Sequence, residues 1–190
     1  MRTKLLHMTR SENVYEFEEF EKNPTITRYY FVSEGERQIV KIVEFKYVGS
    51  RENKLIYNLG FGTFQENNTF QDDDISLNGD TYKVFNTVLS TIPDFMNNYP
   101  GAMVMVAGSD SIDSYPQQCW PNCKKKCVPF YCKNAHRRIN IYKNFVNKNW
   151  ELLSKEYKFW GAFKLNDFQG YMEEYNLRNK YQVVYFQKII

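Results

Sequence analysis

Three stretches between residues 25 and 64 have the composition of β-strands, and they constrain the fold more than any other feature of the chain. Thr25 to Ser33 is rich in aromatic and β-branched residues, and Gln38 to Val48 alternates residues between two faces. Leu55 to Phe64 continues the pattern, and polar, glycine-containing turns separate the three stretches. Strands joined by short turns pair with their neighbours in sequence, so these residues predict an antiparallel meander.

A helix is predicted after the meander. Asn78-Gly79-Asp80 offers a turn and an N-cap, because the Asp80 carboxylate can accept hydrogen bonds from the free amides of a first helical turn. From Thr81 onward apolar residues recur at helical spacing. Pro93 lacks an amide donor and clashes with the preceding turn, so we expect it to bend or end this helix early.

The remaining elements complete the prediction of an α+β fold. A second helix is predicted from Ile139 to Tyr157, followed by a polar helical turn around Asp167 to Tyr175. The predicted strands of this half are Met103 to Ala107, Phe159 to Lys164 and Tyr181 to Ile190. We expect a mostly antiparallel sheet with two helices packed on one face. We also predict an acidic segment at 1–24, a single domain at 25–190 and an inserted cysteine-rich basic loop at 110–135.

Several short motifs resemble a family of small uncharacterised bacterial proteins that is classed only as a domain of unknown function. The motifs are Tyr57 to Gly62, Asn78 to Val84, Tyr99-Pro100 and Gly108-Ser109, and the resemblance covers roughly residues 28–165. In the family, Gly-Ser-Thr runs almost directly into an Arg-Thr-Arg-Leu-Tyr segment that opens the second helix. Here Arg138 to Tyr142 is similar to that segment, with Asn140 at its second arginine, and an insertion that holds every cysteine precedes it. The resemblance implies a fold and assigns no activity.

All four cysteines fall within fourteen residues, and His136 follows them. The cysteines are Cys119, Cys123, Cys127 and Cys132. Clustered thiols in a reducing compartment indicate a metal more than disulfides, and zinc takes four such ligands tetrahedrally. The usual spacing of two residues between paired cysteines is absent. We therefore predict a structural zinc site with five candidate ligands, and disulfide or redox chemistry, unligated thiols and an iron–sulfur cluster stay as alternatives.

The charge of the chain is divided unevenly. Residues 1–113 carry 11 Lys/Arg and 17 Asp/Glu, whereas residues 114–190 carry 14 and 5. From Tyr115 to Trp150 there are eight basic residues and no acidic one. Such a block attracts polyanions, although it is also compatible with a solvated loop and helix face.

Aromatic residues lie among these basic residues, a combination that suits single-stranded nucleic acid because bases stack on rings and phosphates meet cations. The candidate contacts are Trp120, Lys124, Lys125, Lys126, Lys133, Arg137, Arg138 and Tyr142. Arg137 and Arg138 are expected in the first turn of a helix, where positive charge is unfavourable. A bound anion would offset that cost. The alternatives are that the helix starts a turn later or that a carboxylate from elsewhere in the chain pairs with Arg138.

The sequence therefore predicts a protein that binds RNA or single-stranded nucleic acid through a zinc-stabilised basic loop and helix. A toxin or another accessory protein of a defence system is one biological role that we consider. One alternative is a protein-interaction module that binds an acidic partner. A second alternative is a metal-independent ribonuclease that uses Tyr115, Tyr142 and Arg138. The chain has no run of eighteen apolar residues and no apolar stretch near Met1 that fits a secretory signal, so we expect a cytoplasmic protein without a membrane partner.

Overall fold

The computed structural model describes residues 13–64, 70–71, 78–123, 125–163 and 171–190. The chain divides into two compact units, Met1–Ala102 with Ile190 and Met103–Ile189. The predictions for residues 1–12, for Lys124 and for Lys164 fall outside the described residues. A single domain over 25–190 stays a prediction.

The first unit contains an antiparallel sheet. Its strands are β1 (Phe17–Asn23), β2 (Ile26–Glu34), β3 (Gln38–Arg51), β4 (Lys54–Phe64) and β5 (Phe70–Gln71). Each strand pairs antiparallel with the one before it, which confirms the predicted meander. The alternation of residues in the sequence predicts these strands correctly, because alternate residues of β2, such as Tyr29 and Phe31, are buried on one face.

The helix α1 (Thr81–Asn98) continues past Pro93, so the prediction of an early end was wrong. Packing explains the difference. Phe95 is fully buried and its ring stacks on Phe45 with the centroids 4.1 Å apart, and Met96 is also buried. Burying these two side chains outweighs the cost of about 3 kcal/mol that proline brings to a helix interior.

Asp80 precedes α1, as predicted, but its side chain makes no cap hydrogen bond to the helix. Instead, its carboxylate accepts hydrogen bonds from the Tyr15 hydroxyl at 2.7 Å and the Ser33 hydroxyl at 2.5 Å. The carboxylate therefore ties the start of the helix to two other segments of this unit.

The second unit contains the strands β6 (Met103–Ala107), β7 (Tyr157–Ala162), β8 (Glu173–Glu174) and β9 (Val183–Lys188). They lie in the order β6-β9-β7-β8, and neighbouring strands are antiparallel. The predicted strand Met103 to Ala107 is confirmed. The expected helical turn around 167–175 is wrong at its described end, where β8 pairs with β7 through Trp160 and Gly161.

The described residues of this unit form three helices: α2 (Tyr115–Cys119), α3 (Arg137–Lys148) and α4 (Trp150–Glu156). The predicted helix from Ile139 to Tyr157 is interrupted at Asn149, whose side-chain amide donates to the Phe145 carbonyl at 2.8 Å. Such a local bond competes with the continuing helix. The fold is thus α+β with a mostly antiparallel sheet, and two helices on one face stay a prediction. Across the residues that the structure covers, no helix has both the length and the apolar character needed to cross a bilayer.

Candidate metal centre

The cysteine loop, defined here as residues 115–136, connects the 3₁₀ turn Ser109–Ser111 to α3. It begins with α2, which carries Cys119 at its last position, and continues through a second 3₁₀ turn, Trp120–Asn122. A short backbone bridge pairs Val128 with Tyr131. These tight local turns bring cysteines that are separated in sequence onto one side of the loop.

The sulphur atoms form one cluster. The ligand atoms of Cys119, Cys123 and Cys132 all lie within 4.8 Å of one another. The thiol of Cys132 donates to the Cys119 sulphur at 3.4 Å, and Cys127 hydrogen-bonds with Cys123 and with Cys132. Three to four close cysteines can hold a metal ion.

Every sulphur of the cluster also accepts a hydrogen bond from an amide. The backbone N–H groups of Lys133 and Asn134 donate to Cys127 at 3.2 Å and to Cys132 at 3.4 Å. Cys123 accepts from two backbone amides of the loop, and the Asn134 side-chain amide donates to Cys119 at 3.8 Å. Amide donors favour the thiolate form of cysteine, which is the form that binds metals.

Two thiols of the cluster have pKa values that move in opposite directions. The backbone amide of Cys127 lowers the pKa of Cys123 to about 7, whereas burial raises the pKa of Cys132 to about 11. Burial also raises the pKa of the Tyr115 hydroxyl, which hydrogen-bonds with the Cys119 thiol, to about 12.

The dimensions of the cluster fit a tetrahedral ion. A zinc–sulphur bond of about 2.3 Å places the sulphurs of a tetrahedral site about 3.8 Å apart. The observed separation of 3.4 Å between Cys119 and Cys132 is within half an ångström of that value. Small rotations of the side chains would therefore admit an ion between the sulphurs.

His136, the fifth predicted ligand, has a different position. Among the described residues the group whose ligand atoms lie within 4.8 Å of one another contains neither His136 nor Cys127, but Cys127 hydrogen-bonds with two of its members. It precedes α3 in a left-handed conformation with φ of 60°, and its backbone N–H donates to the Asp110 carbonyl at 3.0 Å. The geometry thus favours the cysteines as the ligand set.

Asp110 closes the base of the cysteine loop and caps α3. Its buried carboxylate accepts from the backbone N–H of Arg138 at 3.1 Å, within the first turn of the helix. The Arg138 guanidinium donates to the Ser109 hydroxyl at 2.9 Å. A carboxylate of the chain itself therefore lies at this helix end, bonded to the backbone of Arg138, and the helix begins at Arg137.

The outer surface of the cysteine loop is aromatic and basic. Phe130 is 82% exposed, Tyr131 66% and Trp120 51%. Beside them in sequence, Lys125, Lys126, Lys133 and Arg137 are exposed. None of these four forms an ion pair within the described part of the chain. Uncompensated cations among exposed rings form a surface that attracts anionic, planar ligands.

The other predicted site residues are more enclosed. Tyr142 is buried on α3, with 9% of its surface exposed, so its ring is enclosed in this conformation. Lys143 is also buried, and burial lowers the pKa of its ammonium group. The three residues of the ribonuclease hypothesis have different surroundings: Tyr115 hydrogen-bonds with Cys119, the Arg138 guanidinium donates to Ser109, and Tyr142 is buried on α3.

Sequence reasoning missed Asp110 and Asn134. Asp110 follows Gly108 and Ser109 directly after a buried strand, and a polar turn at that position could have indicated a cap for a later helix. Gly108 is needed there because a Cβ atom would lie 2.4 Å from an oxygen of the Asp110 carboxylate. Asn134 lies between the last cysteine and α3, and only the folded loop shows its amide at Cys119.

The comparison with protein families gives one match. The model of a family described as a family of unknown function (DUF6934) matches residues 11–113, more than half of the chain, and the chain belongs to that family. The match confirms that the chain resembles a domain of unknown function, but it begins before residue 28 and ends before the cysteine loop and the Arg138 to Tyr142 segment. No curated protein and no solved structure matches the chain.

Proposed function

We propose that this member of the DUF6934 family is a binding module in which a structural zinc ion fixes the cysteine loop, and the loop binds single-stranded nucleic acid, RNA above all. The observation that carries the proposal is the convergence of the cysteine sulphurs, each of which accepts an amide hydrogen bond. An ion held by four thiolates has no open position, so its role is to hold the loop in shape.

The proposed binding surface consists of the loop side chains that stay exposed when the cysteines hold the ion. With its cysteines turned inward, the short loop has few side chains left to bury, and Phe130 and Tyr131 point into solvent. Exposed apolar groups that lie together often mark an interaction site. Bases stack on rings at about 1–3 kcal/mol each, and exposed lysines attract the phosphates.

Charge argues for a polyanion. A zinc ion held by four thiolates carries a formal charge of −2, which the neighbouring Lys125, Lys126 and Lys133 more than offset. With Arg137, these cations leave the loop a net positive charge that attracts phosphates. A single strand suits exposed rings better than a duplex, because its bases are not already stacked in a helix.

The metal is tested first, by elemental analysis of protein purified without added metal, together with a thiol titration. We expect one zinc per chain and four protected thiols, and we expect Cys127→Ser and Cys132→Ser to lose the metal. His136→Ala is the matched control and should retain it. Protein without metal, with four freely reacting thiols, would contradict the proposed centre.

Nucleic-acid binding is tested by fluorescence anisotropy with a single-stranded RNA of about ten nucleotides, a length typical of such sites. Phe130→Ala and Tyr131→Ala should each weaken binding by about 1–3 kcal/mol, and Lys126→Ala should reduce the salt dependence. Tyr82→Ala, which removes a ring that is 87% exposed in the other unit, should leave the affinity unchanged.

The runner-up is a module that binds an acidic protein through the same surface. Equal affinity of the native protein and of Phe130→Ala for RNA, together with retained zinc, would remove the nucleic-acid proposal in favour of a protein ligand. A protein ligand would then be sought with the metal-loaded loop as bait and the Phe130→Ala variant as its control.

A further inference from the structure

A shallow pocket of about 440 Å³ opens beside the start of α4. It is lined by Trp150, Glu174, Tyr175, Asn176, Leu177 and Arg178. All of these residues belong to the second unit. The pocket lies outside the cysteine loop, and its volume is within the range of about 300–1,000 Å³ that small-molecule sites occupy.

One wall of the pocket is aromatic. Trp150 is half-buried and stacks on Tyr175 with the ring centroids 5.6 Å apart and the planes at 25°. Tyr175 is buried, and its hydroxyl donates to the Asn147 side chain at 2.8 Å. This wall is held in place before any ligand arrives, and it favours a flat ring.

The rest of the lining offers charge of both signs. Arg178 is exposed, and within the described residues its guanidinium makes no ion pair. Glu174 is exposed in the same lining. A guanidinium binds phosphate with paired hydrogen bonds, and a carboxylate accepts from ring N–H or amino groups. A ligand that combines a phosphate with a nitrogen-bearing ring satisfies both.

The loop that forms the pocket is well ordered by its own contacts. The Tyr181 hydroxyl accepts the backbone N–H of Asn176 at 3.0 Å and donates to Glu173 at 2.5 Å. The Asn147 side chain donates to the Leu177 carbonyl at 3.3 Å. These bonds fix the backbone that carries Glu174 and Arg178, so the entropy cost of binding at this pocket is reduced.

An exposed stripe of α3 joins the cysteine loop to this pocket. Arg137, Ile141, Asn144 and Lys148 recur at helical spacing and are all exposed. Eleven residues of helix extend over about 16 Å. The stripe begins at the end of the cysteine loop and ends two residues before Trp150, with a basic residue at each end.

We propose that the pocket at Trp150 and Arg178 is a nucleotide subsite, which receives one nucleotide of the single strand whose other end lies on the cysteine loop. The inference rests on the proposed function and deepens it by adding a second contact. It predicts that the pocket binds a free nucleoside monophosphate weakly, and that a strand reaching both places binds more tightly than one confined to the cysteine loop.

The test uses the full zinc-loaded chain and two probes, adenosine monophosphate in calorimetry and the single-stranded RNA of about ten nucleotides in anisotropy. Arg178→Ala should weaken binding of both probes about tenfold, since it removes a charged hydrogen-bonding partner. Lys180→Ala, which removes a cation outside the pocket lining, is the matched control and should change neither. Zinc content should be the same in all three proteins.

The outcomes separate the two proposals. If Arg178→Ala binds RNA like the control while Phe130→Ala binds it more weakly, the subsite is wrong and the proposed function stands. If neither change affects RNA binding, the proposed function fails as well. If inorganic phosphate binds as tightly as adenosine monophosphate, the pocket is only an anion site and the nucleotide assignment is overturned.

Discussion

Replacing Asp110 with alanine should destabilise the second unit more than any other change of a single acidic residue there. The carboxylate is buried and accepts the Arg138 backbone N–H at 3.1 Å, and the main chain of the same residue holds His136. Alanine leaves that amide without its acceptor and removes a negative charge from the positive end of α3.

The expected loss is the sum of two contributions. A hydrogen bond to a charged group contributes about 1.5–3 kcal/mol, and the interaction of a charge with the helix end about 0.3–1 kcal/mol. The free energy of unfolding should therefore fall by about 2–4 kcal/mol. With a dependence of about 2 kcal/mol per molar of urea, the midpoint of unfolding falls by about 1–2 M.

The assay is urea unfolding of metal-loaded protein followed by far-ultraviolet circular dichroism. Asp110→Asn keeps an acceptor oxygen without the charge and should recover part of the loss. Asp113→Ala removes an exposed carboxylate three residues away and should change the midpoint little. Equal midpoints for Asp110→Ala and Asp113→Ala would refute the assignment of Asp110 as the cap of α3.

Four further outcomes are expected. Phe95→Ala removes a ring that is fully buried against Phe45 and should cost about 3–5 kcal/mol in urea unfolding, whereas Phe20→Ala, at a ring 47% exposed, should cost less than about 1 kcal/mol. Gly35→Ala would place a Cβ atom 1.7 Å from the Asn78 carbonyl oxygen, so its thermal midpoint should fall, and an unchanged midpoint would contradict this packing. Zinc measured with a colorimetric chelator should be released as the pH is lowered, since protons compete for the thiolates, and retention in strong acid would argue against thiolate ligands. RNA affinity should fall with salt with a logarithmic slope of about −2 to −4 if three to five phosphates are contacted, and a flat dependence would exclude that mode.

The strands were predictable because their signal is local and strong. Alternate residues of β2 are buried, and period-two spacing is readable in any window of a few residues. Helix ends were not predictable in the same way. Helix α1 continues past Pro93 because Phe95 stacks on Phe45. These two residues are fifty positions apart, so no local sequence pattern shows their contact.

The candidate site also combines features that can be read from the local sequence with contacts that form only on folding. The identity of the cysteines and the basic, aromatic character of their loop are properties of composition, and both could be read from the sequence. The roles of Asp110 and Asn134 depend on chain segments that meet only after folding. The helix is interrupted at Asn149, whose side chain hydrogen-bonds to the Phe145 carbonyl. Such a bond competes with the continuing helix, and the spacing of apolar residues does not reveal it.

The closed base of the cysteine loop makes it separable from the scaffold that carries it. The chain passes Asp110 five residues before it enters the loop and returns to that residue at His136, where a backbone bond of 3.0 Å closes the loop. The residues between Asp110 and His136 can change in number and type without moving the start of α3, since the entropic cost of closing a loop depends only weakly on its length. The loop is therefore a natural grafting point, at which a shorter linker would leave the scaffold intact and a different recognition loop could be inserted.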